Sequence, residues 1–144
     1  MSRVINTNSP GKIRHYHQRT IAEILRHLST KAEIDEQSKD MISMLVFSLR
    51  GIDQSVNKSV EAWEKRGYWM KADRFMLEWE WAAEIAANLE DVIRNDAWDL
   101  APGLLGELLP HSSGIEIKNF TRSPSTWQGA HQKLLAGPPG ELPW

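Results

Sequence analysis

Five histidines, scattered carboxylates and a basic N-terminal stretch are the reactive groups of this 144-residue chain, which has no cysteine. Without cysteine there can be no disulfide, no thiolate zinc site and no cysteine nucleophile. Glu23 and His27 stand four residues apart. On a helix they share a face and can hold one metal ion. A bundle-type di-iron site needs a Glu-x-x-His on each of two helices plus two further glutamates, and the chain has no Glu-x-x-His. Asp73, Glu80 and Glu84 recur at helical spacing and suit a hard cation, or more simply a solvated acidic ridge. The spacing therefore points to no metal and no other cofactor.

Glu90 is the odder carboxylate, because it falls inside the apolar arc of its helix. A buried carboxylate has to be paired or protonated. Arg94, one turn on, is the expected partner, with Arg14 as the second choice. His17 stands in the middle of an apolar face, the setting of a core histidine. Acid–base or nucleophilic catalysis needs a nucleophile, a base and an orienting group that converge, and no spacing here assembles them. Dinucleotide, phosphate-loop and zinc-protease patterns are missing as well. Ser9-Pro10-Gly11-Lys12 at a helix start offers free N–H groups to a phosphate, although capping accounts for the same residues. Lys12, His15, Arg19 and Arg26 form a basic ridge on the first helix, extended by Arg3, of the kind that contacts nucleic-acid phosphates.

These groups have to be placed by helices. Ser9 with Pro10 reads as an N-cap and first helical residue, opening a helix over Pro10 to Ser29. Thr30-Lys-Ala-Glu33 fits a capping box, so the second helix is expected over Lys31 to Arg66, roughly 50 Å long. Gly67 reads as its C′ residue. The third helix follows at once over Tyr68 to Arg94, with Trp69, Ala72, Phe75, Met76 and Trp79 on the core arc. Asp73, Glu80, Glu84 and Asp91 form a separate ridge, and Met70, Leu77, Trp81 and Val92 a second apolar stripe. So short a connection predicts an antiparallel hairpin. Ala97 to Leu109 reads as a fourth helix capped by Asp99 and stopped by Pro110. Ile115 to Phe120 reads as a short strand or an extended piece, and Pro124 to Ala136 as a fifth helix. The fold class is all-α: a helical bundle built on the long hairpin, with a shorter N-terminal helix and two short C-terminal ones. Residues 1–136 form one domain, with 1–8 a loose arm and 137–144 a Pro/Gly-rich tail.

Net charge is −2, so no overall field draws the protein to nucleic acid or acidic membrane. Residues 1–31 nonetheless carry six basic groups against Glu23 alone, leaving the remainder at −7. No apolar leader opens the chain and no run is long enough to span a membrane, so a cytoplasmic protein is expected. Met44, Val46 and Phe47 fall outside the core arc of the second helix, beside Gly51, Ser48 and Ser55. An exposed apolar patch usually marks an interface, so self-association through it, as a dimer, is expected. The function expected is that of a non-enzymatic interaction or scaffold protein working through helix faces, with another protein as the other partner class. The alternatives are a bundle binding a ligand, metal or phosphate around Glu90 and His17, and a nucleic-acid accessory protein using the basic ridge.

Overall fold

The computed structural model describes residues 9–144, so the expected N-terminal arm and Arg3 lie outside the described residues. The protein is an all-helical bundle. Helix α1 spans Pro10–Ser29, α2 Glu36–Lys65, α3 Trp69–Arg94, α4 Ala101–Ser112 and α5 Ala130–Ala136, with short 3-10 turns at Trp98–Leu100 and Pro124–Thr126. The hairpin of α2 and α3 is the frame, and α1 packs along α2. Ile24, Leu45, Leu49, Ile52, Ala86 and Leu89 fill the contact between these three helices and are fully buried.

Helix starts and stops follow local chemistry. The Ser9 side chain accepts from Lys12 N–H, and Pro10 needs no partner at the first position. The capping box expected at Thr30 does not form. Thr30 instead ends α1, donating its hydroxyl to the His27 carbonyl, and α2 starts five residues later than expected. Asp35 is its cap, accepting from Ser38 N–H at 2.8 Å. A carboxylate there also satisfies the positive end of the helix dipole. The residues between are consumed in reversing the chain, which a continuous helix could not do.

Gly67 ends α2 with φ +81°. Its N–H reaches the Glu64 carbonyl and the Tyr68 N–H reaches Trp63, the paired bonds of a Schellman stop. The same bonds close α3, where Asp96 takes the left-handed position at φ 54° and Ala97 N–H reaches Val92.

The C-terminal third departs further from the expected pattern. The α-helical part of the fourth helix begins at Ala101, and no side chain caps it, Asp99 included. It runs through Pro110 to Ser112. A proline in the final turn removes one N–H, but little helix remains to break. No strand forms at Ile115–Phe120. The fifth helix is interrupted, because Gly129 adopts φ +79° and α5 starts only after it. Asp40 on α2 accepts from the N–H groups of Gly129 and His131, so a neighbouring helix caps α5.

Gly51 lies within α2 directly under the His17 ring. A Cβ there would overlap the imidazole, with its Cδ2 at 2.7 Å. Close helix approach therefore accounts for this glycine. Propensity alone makes Gly51→Ala stabilising by about 0.5–1 kcal/mol, whereas overpacking costs about 1–3 kcal/mol. We expect packing to win, giving net destabilisation in urea denaturation that His17→Ala largely relieves when combined with it. A more stable Gly51→Ala protein would show that α1 and α2 are further apart.

Candidate functional site

Glu90 and His17, the two polar groups expected on apolar faces, both sit under the C-terminal tail. Glu90 is 4% exposed. Arg94, one turn along α3, donates to one carboxylate oxygen at 2.8 Å. Arg50 of α2 donates to the other at 2.8 and 3.1 Å. The Gly140 N–H completes the shell at 3.2 Å. Burial would raise the Glu90 carboxyl, but the two arginines and this N–H outweigh it and hold the group below its ordinary value. Arg94 also donates to the Leu134 and Gly137 carbonyls, so one ion cluster pins α5 and the tail to the hairpin. Arg14, the second expected partner, lies elsewhere, against Ser55 and over the rings of Phe75 and Trp79.

The tail then reaches α1. Trp144 stacks on His17 at 5.2 Å between ring centroids and meets Phe47 edge-on. His17 is nearly buried and its Nδ1 has no hydrogen-bond partner among the described residues. Burial, aided by the positive charge of Arg122, lowers its pKa from 6.5 to about 4. The same cover decides the expected interface patch. Val46 is fully buried and Phe47 is 3% exposed, with Met44 half-buried. Phe47 meets Trp144 and borders Leu134, Gly137 and Pro138, so α5 and the tail cover it within the chain. The three residues offer no open apolar patch.

Glu23 is fully buried. It accepts from Arg19 Nε, from the N–H groups of Thr121 and Arg122, and from the Thr121 hydroxyl. Burial is opposed and outweighed by these donors, which bring its pKa from 4.5 to about 2. Its oxygens are thus committed, and His27 turns away to stack on Phe120. Among the described residues no group of three His, Asp or Glu side chains gathers around a possible metal position. The basic ridge is divided in the same way. Lys12, His15 and Arg26 are exposed, but Arg19 between them is tied to Glu23 and to the Glu116 and Asn119 carbonyls.

Sequence reasoning missed Arg50, Asp40, Thr121 and Gly140. Arg50 had a signal, since it interrupts the most apolar part of helix two. The others act through backbone groups or across the fold, where spacing carries no information.

Tyr16, Leu100, Leu109, Phe120, Leu135 and Trp144 are exposed at separate places, while four exposed apolar residues of α3 gather at the other end of the hairpin. Trp69 and Met76, expected in the core, are 60% and 45% exposed, and Met70 and Leu77 are 70% and 66% exposed. The buried face of α3 centres on Ala72, Ala86 and Ile93, so Trp69 and Met76 stand at its rim. Trp81 on the second stripe is covered by His111 of α4, stacked at 3.8 Å. Helix α4 stops there, and Leu77 and Met70 continue the stripe uncovered. Between the two apolar edges runs the ridge of Asp73, Glu80 and Glu84, all exposed. With Asp53, Val56 and Asn57 of α2 they border a groove of about 570 Å³. A second groove, of about 640 Å³, separates the end of α3 from α4. Its polar lining is Asn88, Asp91, Asn95 and Glu107, acceptors and amides without an imidazole, lysine or arginine to complete an acid–base pair.

Comparison with protein-family models, curated proteins and solved structures finds no match to this chain. No helix of the described residues is long and apolar enough to cross a membrane.

The His17 environment fixes a pH response. Its pKa is lower folded than unfolded, so its contribution to stability is complete above 6.5 and is lost as pH falls from 6.5 towards 4. Glu23 adds a second loss between 4.5 and about 2, since the unfolded chain takes up that proton first. We expect His17→Leu to flatten the urea-midpoint profile in the upper window, and Glu23→Gln to lower the midpoint above pH 4.5 and flatten its fall below. A wild-type midpoint that is constant between pH 6.5 and 4 would contradict the burial of His17. Removing the Glu90 charge is a separate matter. Glu90→Ala should cost about 3 kcal/mol or more, because two arginines lose their partner, and proteolysis should then reach the tail first.

Proposed function

We propose that this is a non-enzymatic interaction protein that presents the distal half of α3 to another protein. The observation that carries the reading is the contrast between the two ends of the hairpin. At one end Glu23 and Glu90 are matched by arginines and backbone N–H groups, and Val46 and Phe47 of α2 are buried. At the other, Trp69, Met70, Met76 and Leu77 stand in water on one helix. Single exposed apolar residues are ordinary, but a contiguous set at helical spacing is a binding face. Self-association through this face is disfavoured by charge, because a second copy would bring Asp73, Glu80 and Glu84 against their own counterparts. A partner of different sequence suits the face better.

The other readings have weaker support. A ligand among Glu90 and His17 would have to displace two arginines, a backbone N–H and Trp144. A nucleic acid on α1 would compete with the carboxylate and carbonyls that hold Arg19.

A photoreactive residue at Leu77, introduced in cells, should give discrete cross-linked adducts, while one at Glu36, exposed at the far end of α2, should not. Met70→Glu combined with Leu77→Glu should abolish adducts from a probe at Met76 and leave stability within about 0.5 kcal/mol, as for surface changes. An unfolded double variant would show that these side chains are part of the core. A folded chain without adducts at Leu77 would remove the interaction reading.

A further inference from the structure

We infer that the groove between α2 and the distal half of α3 takes a cationic amphipathic helix from a partner protein. The inference rests on the reading of this face as an interaction surface and adds the chemistry of its occupant. Asp73, Glu80 and Glu84 follow one another at seven and four residues, so they form a single row along α3, roughly 16 Å from first to last. Met76 flanks the row on one side and Leu77 with Met70 on the other, and Asp53 faces it from α2. None of these four carboxylates has a salt bridge among the described residues, and three of them stand in one row on one helix. Asp53 is half-buried, and burial pushes its carboxyl up against the opposing charge of Arg50. The row on α3 thus lies between two apolar edges with none of its three carboxylates in a salt bridge.

Such a face is relieved of both costs by one kind of surface: a line of Lys or Arg with apolar residues on either side. A helix provides that line with basic residues at i, i+7 and i+11, the spacing of the acidic row. A second copy brings like charges, and a nucleic acid or acidic membrane is repelled. An apolar helix without basic residues would bury carboxylates unpaired, which is costly.

The test uses the full chain and three synthetic helices followed by fluorescence anisotropy. One is a Leu/Lys helix with lysine at that spacing, one has the same composition scrambled, and one has glutamate for each lysine. Saturable one-to-one binding is expected for the first alone, weakening as salt screens the charges. Asp73→Asn, Glu80→Gln and Glu84→Gln together, checked for fold by circular dichroism, should weaken it about tenfold, the sum of three exposed pairs. The lysine helix should also compete away the Leu77 adducts. Equal binding of the scrambled peptide would reduce the effect to bulk charge and overturn the inference. So would binding of the glutamate helix, absence of any binding, or self-association in sedimentation equilibrium that Leu77→Glu abolishes. Leu77 adducts that form and resist the lysine helix would leave the interaction surface standing and remove only its cationic partner. Absence of the adducts themselves would remove both.

Discussion

A carboxylate taken out of water must be met by enough donors to replace its hydration, and this fold meets that demand twice with the same stretch of chain. Glu23 on α1 and Glu90 on α3 lie on different helices, yet both find backbone N–H groups in the last third of the protein. Thr121 and Arg122 close on the first and Gly140 on the second. Each also holds an arginine one turn along its own helix. The C-terminal segment forms little regular structure, so its attachment comes mainly from these two anchors and from the apolar residues they bring down, Trp127 and Leu134 above all.

This dependence explains where the sequence was readable. Helical period, proline at first positions and Gly67 are local signals, and α1, the hairpin and its turn follow from them. The start of α2 was misread because two capping residues compete within six positions, and the need to reverse the chain favours Asp35 over Thr30. Helix five was misread because Gly129 and its cap, Asp40, lie far apart in sequence. Phe47 has the pattern of an outward stripe, and the docking of a tail with no pattern of its own turns it inward. Conversely, Trp69 and Met76 have the pattern of a core arc, but they sit at its rim where no further element arrives. The alternation of apolar residues shows which faces seek cover, while which of them receive it is settled by segments whose positions depend on single polar contacts.

Glu90 and the acidic row of α3 illustrate two fates of one residue type on one helix. Glu90 has two arginines and an N–H, and its charge serves the interior. Asp73, Glu80 and Glu84 have solvent and one another. On a marginally stable protein an unscreened like-charge row is a small cost. It also keeps the exposed methionines and leucine dispersed in water, since the charge that attracts one partner repels copies of the chain.

The long reach of the anchors sets an order on assembly during translation. Glu23 leaves the ribosome 98 residues before Thr121, and Glu90 leaves 50 before Gly140. The hairpin can close as soon as α3 emerges, because Arg50, Glu90 and Arg94 are all present by then. Helix α1 can lie on α2 at that stage, but Glu23 must stay hydrated until the segment after α4 arrives, so full docking of α1 waits. A nascent chain halted beyond α3 is therefore a closed hairpin with a loosely held first helix, with His17 and Phe47 not yet covered by Trp144. That intermediate has the apolar surface of α2 that the finished protein hides.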